Sequence, residues 1–447
     1  MAGRDWKLHI VMFPWLAFGH MIPYLDLAKF IAQTGQKISF VSTPRNIQRL
    51  PKLPPNLSPF IHFVELPLPR VDDHLPENAE ATRDVPFDHI PYLKKAFDGL
   101  ETGLAGFLQA SAPDWIIYDF APHWLPPVAT KLGISRAFFL TINAWYAAFS
   151  GPASALIDGS DDNPMEPQQF TVPPKWVQFP TIVAFRLYEI KRILSGATNN
   201  APGVSDLYRY GSAALGCDVY AIRHYREFEP QWLTLLQDLQ PKPVIPLGLM
   251  PPAVVEDSGV NETWLSIKVT ELALGLELSG LPFFWALRKL PGSNKSESVE
   301  LPDGFEERAR SRGVVWKSWA PQLKILGHES MGGFLTHCGW SSVIEVLQFG
   351  KPLIMLPFMA DQGLNARVLH ENKVGIEISR DEEDGSFTRN SVADSIRLVM
   401  VDNNEGLIYR KKAREISALF GDKVLHDQYM HNFVEYLSKN SRCVHEG

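Results

Sequence analysis

The sequence predicts an α/β protein built from two doubly wound, parallel-sheet domains. Three observations lead there. Over residues 8–140 short apolar runs alternate with helix-length amphipathic stretches, the pattern of a parallel sheet covered by helices. Over 319–362 the alternation returns as two strand–turn–helix units, with apolar runs at 333–335 and 353–358 bounded by glycine or proline. An acidic, proline-containing stretch at 251–262 separates the two regions as an interdomain linker would.

Composition agrees with two full cores. At 447 residues, 45% hydrophobic and 21% charged, the chain is long enough for two ordinary domains, and general disorder is excluded. A net charge of −7 without a basic block leaves no electrostatic footprint for nucleic acid or an anionic membrane. The three cysteines, Cys217, Cys338 and Cys443, are odd in number and far apart, which suits a reduced cytoplasmic setting. No run approaches the ~18 to 20 apolar residues of a membrane span, and the run 8–18 reads as a first strand, not a signal-peptide core.

Taken in order, the first domain (1–250) contains LHIVMFP, a helix over 22–34, KISFVST, IHFVELPL, a long helix over 90–110, DWIIYDF and SRAFFL, then CDVYAI and PVIPLGL. Ligands of such sheets bind outside the carboxyl ends of the strands. Two chemically useful residues stand at those ends, His20 after the first strand and Asp119 closing DWIIYD. A His and an Asp there can act as a base and its orienter, although spacing alone also allows a structural turn histidine. His123 and His328 read as structural or solvated. The proline-rich stretch 151–200, with Trp176, Phe179 and Phe185, reads as a lid-like insertion over the site or as a plain surface excursion.

The second domain (263–423) opens oddly. After the linker a parallel-sheet domain is expected to begin with a strand, yet the chain passes through Lys268 and Val269 straight into VTELALGLELSG, which is helical in pattern. PFFWALRK and GVVWKSW then read as strands, GIEI as the last strand, and 390–401 and 405–419 as helices. A final helix spans roughly 425–439 within the C-terminal stretch 424–447. In the segment between, THCGWSS follows one strand and opens a helix over 343–349. A glycine turn at a helix start offers backbone N–H groups and a positive dipole end to an anion, most simply a phosphate. Asp361 and Gln362 stand at the next strand end and Glu345 one turn into the intervening helix, a set suited to hydroxyl-rich groups. An ordinary βαβ unit with solvated loop polars is the alternative.

The segment 319–362 also resembles, in its opening WAPQ, central HCGW and closing DQ, the signature box of plant family 1 UDP-glycosyltransferases of secondary metabolism. The likeness runs over nearly the whole chain and is nearest the terpenoid and flavonoid glycoside-type subgroup. It implies a GT-B fold, two doubly wound Rossmann-like domains facing a cleft, with the 424–447 helix crossing back to the first. It implies an inverting, metal-independent hexosyltransferase that moves a sugar from a UDP-sugar to a hydroxyl of an apolar small molecule or its glycoside, without a cofactor beyond the co-substrate. His20 matches the family's base and Asp119 its partner. By matched position, Trp319 stacks on uracil and Gln322 contacts the nucleoside, while Glu345 holds the ribose. His337 and Ser342 hold the diphosphate, and Trp340, Asp361 and Gln362 meet the sugar. Ser341 stands where Asn is usual and Val346 where a smaller residue is commoner. Gln362 favours glucose, though related enzymes use rhamnose or xylose. A monomer is expected.

The resemblance also sharpens the oddity at Lys268 and Val269, because the family carries a strand and a Gly-Ser loop there, on the order of twenty residues absent from this chain. A splice-like or mispredicted transcript and a genuine variant with an altered core both account for it. The alternative function is therefore an impaired GT-B relic that binds small molecules. A nucleotide-dependent oxidoreductase is disfavoured because no GxGxxG follows the first strand.

Overall fold

The protein is described by a computed structural model over residues 7–71, 73–158, 166–198, 201–252, 269–287, 301–401 and 404–441. It divides into two compact units. The first comprises 1–165, 195–250 and 423–447, the second 166–194 and 251–422.

In the first unit seven strands form one parallel sheet: β1 (His9–Phe13), β2 (Lys37–Ser42), β3 (Ile61–Glu65), β4 (Trp115–Tyr118), β5 (Ser135–Leu140), β6 (Val219–Ile222) and β7 (Val244–Pro246). Their order is β3-β2-β1-β4-β5-β6-β7. β1 pairs with β2 on one side and β4 on the other, with Phe13 opposite Tyr118. All five residues of β1 and all four of β4 are buried, as continuous apolar runs in a sheet covered on both faces must be. Because the chain leaves β1 toward β2 and β3 and returns on the other side at β4, the β1/β4 boundary is a topological switch point, where the loops following the strands diverge and leave a crevice. The helix Lys423–Lys439 belongs to this unit. Its Leu437 carbonyl accepts the Trp115 indole N–H at 3.0 Å, and buried His426 accepts the Leu249 backbone N–H through Nδ1 at 3.2 Å.

The second unit has a parallel pair, β8 (Phe283–Ala286) and β9 (Gly313–Trp316), and a parallel trio in the order β10 (Phe334–Thr336), β11 (Leu353–Met355), β12 (Gly375–Glu377). One apolar cluster serves both: Trp285 of β8, Ile354 of β11 and Ile376 of β12 pack with Leu272 and Ala273 of helix Val269–Ser279 and Val392, Ile396 and Val399 of helix Arg389–Met400. Lys268, and with it the junction singled out in the sequence, lies outside the described residues, as does most of the 251–262 linker.

Several sequence expectations change. The first helix runs Phe18–Gln33, so Gly19 and His20 sit in its first turn and not in a turn before it. The long helix expected over 90–110 is two, Ile90–Asp98 and Glu101–Ser111, with Gly99 capping the first. Gly99 is also a contact point, since a Cβ there would lie 2.5 Å from Pro69. Residues 166–194 were grouped with the first domain in the sequence, yet their contacts place them in the second unit. The reason is a set of long-range polar contacts: Glu189 with Arg367, Arg186 with Glu377 and Glu382, and Thr181 Oγ1 donating to Glu371 at 2.9 Å.

Candidate active site

Two sites emerge, one in each unit. In the first, the switch point brings His20 and Asp119 together. His20 Nδ1 lies 2.9 Å from Asp119 Oδ2 although the residues are 99 positions apart. Asp119 follows β4 directly and is fully buried; its Oδ2 also accepts the Trp15 backbone N–H at 2.9 Å, and Oδ1 that of Ala121 at 3.3 Å. Those N–H groups come from the loops after β1 and β4, so the strand pairing itself aims the carboxylate. An ionised acceptor at Nδ1 fixes the proton on that nitrogen and leaves Nε2 as the basic one. The His20 side chain is 23% exposed, open enough to meet a ligand. His123 has a structural setting: Nδ1 faces Arg209 Nη1 at 3.2 Å, Arg209 grips Asp98, and burial pushes the imidazole below its ordinary value.

In the second unit the loops after β10 and β11 converge. The first leads into helix Trp340–Leu347 and the second into helix Gln362–Glu371. Each loop turns on a non-glycine residue in left-handed conformation, Cys338 at φ 68° and Ala360 at φ 51°. Such a residue costs roughly 1–2 kcal/mol, strain of the kind that collects where a loop must present groups at a fixed angle. Thr336 Oγ1 accepts the Cys338 N–H at 3.1 Å and steadies the first turn. Asn365 ties the two loops together, donating through Nδ2 to the Cys338 carbonyl at 2.8 Å and to Asp361 Oδ2 at 2.6 Å. Burial pushes the Cys338 thiol well above its ordinary value, so the sulfur is an uncharged packing group.

The residues named from sequence fall as follows. Gln322 donates through Nε2 to Glu345 Oε2 at 2.6 Å, joining the two intended nucleoside contacts across 23 positions. Trp319 is 43% exposed and accepts the Trp316 indole N–H with its carbonyl, leaving its own ring outward. His337, Ser341 and Ser342 are half-buried around the start of helix Trp340–Leu347, whose first N–H groups have no intrahelical acceptor. Gln362 Oε1 accepts the N–H groups of Phe358 and Met359 at 2.9 and 3.1 Å, so its amide N–H₂ is the part left to meet a ligand. Trp340 is 3% exposed and packs edge-on against Phe420, so its ring belongs to the core and its backbone N–H is the part suited to a ligand at the helix start.

Asn365 was missed in the sequence. The available signal was its position four residues after Asp361 on a helix, where side chains meet. Among the described residues no cluster of three or more His, Cys, Asp or Glu side chains could hold a metal, and no helix is long and apolar enough to cross a membrane.

Comparison with known proteins adds what geometry alone does not. A family model described as UDP-glucoronosyl and UDP-glucosyl transferase matches residues 261–439. Over 98% of this chain and 96% of the relative, the sequence is 52% identical to UDP-glycosyltransferase 91D2 of Stevia rebaudiana. It is 41% identical to the soyasaponin III rhamnosyltransferase of Glycine max over 98% and 97%. Among solved structures, Os79 from O. sativa in complex with U2F and trichothecene superposes with a TM-score of 0.75 at 20% identity, covering 96% of this chain and all of that one. TcCGT1 in complex with UDP gives 0.74 at 22% identity. At these identities the structural likeness carries the fold, and the fold is GT-B. The alignment with the Stevia relative runs over 465 positions against a chain of 447 residues, so that relative carries residues this chain lacks.

Proposed function

The chain belongs to the plant UDP-glycosyltransferase family and is an enzyme that transfers sugar from a UDP-sugar to small molecules; on that premise we propose an inverting transfer of glucose to a hydroxyl of an apolar terpenoid or flavonoid, or of its glycoside. The observation that carries the mechanism is the 2.9 Å contact between His20 Nδ1 and buried Asp119. It supports a base whose Nε2 removes the acceptor proton while Asp119 stabilises the imidazolium that forms.

The acceptor oxygen then attacks the anomeric carbon as the bond to the diphosphate breaks, in one in-line displacement that inverts the centre. A sugar nucleotide carries its own leaving group, so no covalent enzyme intermediate is required; the scheme is written without a metal. The second unit is assigned the donor: Trp319 against the uracil, Gln322 and Glu345 on the nucleoside, His337, Ser342 and the helix start on the diphosphate, Asp361 and Gln362 on the sugar. Pre-set donors of this kind stabilise the charge that develops on the departing UDP. The protein is assigned to the cytoplasm as a monomer.

The glucose assignment rests on Gln362, and the 41% identical relative named for rhamnose transfer keeps that donor in view. One observation favours a second reading, an impaired relic that binds small molecules: the second unit's described strands form a pair and a trio that are not hydrogen-bonded to each other. Incubation with UDP-glucose, UDP-rhamnose and UDP-xylose and a panel of terpenoid and flavonoid aglycones and glycosides tests both. A β-glucoside from UDP-α-glucose, identified by mass and anomeric coupling constant, is the expected product. An α-product overturns the displacement, and acceptor binding without turnover with any donor establishes the relic.

A further inference from the structure

Besides the Thr181 and Arg186 contacts, the segment 166–194 meets the rest of the second unit at two adjacent residues, Tyr188 and Glu189, near the start of helix Leu187–Thr198. Each holds an arginine, and each arginine holds one end of the loop that carries Asp361 and Gln362. Glu189 accepts a bidentate pair from Arg367 at 3.0 to 3.1 Å, both side chains being under a tenth exposed, and Arg367 also donates to the Gly363 carbonyl. Tyr188 stacks on Arg380, whose guanidinium carbon lies 4.9 Å from the ring centroid. Arg380 in turn donates to the Pro357 carbonyl and covers the Phe358 ring at 5.3 Å.

Two glycines show how close the approach is. A Cβ on Gly363 would lie 2.5 Å from Glu189 Oε2, and one on Gly385, at φ +69°, would lie 2.5 Å from Tyr188 Cδ2. The stretch 357–363, a loop and the first residues of helix Gln362–Glu371, is thus gripped at both ends by rigid planar groups, with the sugar-facing pair between the grips.

We propose that Tyr188 and Glu189 are positioning residues for the transferred sugar, acting through Arg380 and Arg367 to set the loop that presents Asp361 and Gln362. The inference rests on the donor reading above. The insertion thereby governs which sugar is accepted, a role separate from any contact with the acceptor. The Tyr188 hydroxyl is buried without a hydrogen-bond partner, so the ring face is what the contact uses.

The test uses the full chain and four variants: Tyr188→Ala, Tyr188→Phe, the double variant Glu189→Leu with Arg367→Met, and Asp361→Ala. The double variant removes both charges together, and Glu377, 3.6 Å from Arg367, keeps Arg186 at 3.3 Å, so no charge is stranded in the interior, the change that most endangers folding. A displacement of the loop by a fraction of an ångström is expected to raise the KM for UDP-glucose about tenfold and lower the preference over UDP-galactose by a similar factor in Tyr188→Ala and in the double variant. Their affinity for UDP, which has no sugar, stays within about twofold, and Tyr188→Phe keeps parental values.

Parallel loss of affinity for UDP and for every UDP-sugar, tracking a fall in Tm, would make the contacts simple fastening and overturn the inference. Unchanged discrimination in Tyr188→Ala and the double variant, with discrimination abolished in Asp361→Ala, overturns it while leaving the donor reading intact. Unchanged discrimination in Asp361→Ala itself overturns both.

Discussion

The sheets of the two units follow one plan with one difference. In the first, β1 lies between β2 and β4, hydrogen-bonded to both and wholly buried. In the second, β9-β8 corresponds in order to β3-β2 and β10-β11-β12 to β4-β5-β6, but among the described residues no strand pairs with both β8 and β10. Burial records the difference. β8 exposes Phe284 at 39%, whereas its counterpart β2 buries all but its first residue; β9 is partly exposed, as its counterpart β3 is. The pair is held to the trio by the shared apolar cluster, not by a ladder. A central strand therefore does two things at once: it satisfies backbone groups on both sides, and its following loop completes a ligand site, as the loop after β1 does with Trp15 and His20. The second unit draws its site from the loops after β9, β10 and β11, on both sides of that position, with Gln322 after β9 hydrogen-bonded to Glu345 after β10.

Substitutions in the two units separate these roles. The largest effect belongs to the first unit: His20→Ala should lower turnover by ~10²- to 10⁴-fold, the range of general-base catalysis. Affinity for UDP-glucose, measured by calorimetry, should remain unchanged; a loss of donor affinity of the same size would erase the division of labour.

Next comes a chain in which a strand and Gly-Ser loop of the kind the family resemblance implies is inserted between Lys268 and Val269. If the comparison of sheets is right, unfolding of the second unit should become harder by several kcal/mol, at ~1 to 3 kcal/mol for each buried ladder group newly paired. UDP should also bind more tightly. Hydrogen exchange resolved by unit is the measurement, and no change in protection of β8 and β10 would mean that the pair and trio need no bridge.

A smaller effect is expected from Glu345→Ala, which removes a charged partner of the ribose and of Gln322 and should weaken UDP binding by about 2 kcal/mol, or roughly thirtyfold. The variant should leave the His20 and Asp119 pair untouched, readable as unchanged histidine chemical shifts in the first unit.

A last comparison separates the units by pH. Burial pushes the imidazole of fully buried His224, in the first unit, down to about 3. The unfolded chain takes up its proton near pH 6.5 and the folded one does not, so stability of this unit falls as pH drops through that value, by about 1.4 kcal/mol per pH unit until near pH 3. Acid titration of the two unfolding transitions should show a shallower slope for the first in His224→Phe, with the second unaltered.

Much of the architecture was written locally. The strands of both units, the helix opening at HCGW and the box from WAPQ to DQ were legible because apolar periodicity and turn residues act over a few positions. Even there the bounds shifted: the first helix begins at Phe18 and carries Pro23 inside it, although a proline there removes an N–H and disfavours helical backbone at Ile22. A motif position says nothing of where an indole points: the Trp340 ring is buried against Phe420, from a helix far along the chain.

The sequence by itself determined the alternation of strand and helix, the class of chemistry in each loop, and the family. Tertiary structure decided which loops meet. His20 reaches Asp119 across 99 positions only because β1 and β4 are neighbours in the sheet. Glu189 finds Arg367 across 178 only because 166–194 packs on the second unit and not with its neighbours in the chain. Periodicities of 2 and 3.6 are properties of a short stretch of backbone, whereas such pairings depend on strand order and on charges that must be matched once buried, and neither is encoded within the stretch that supplies one partner.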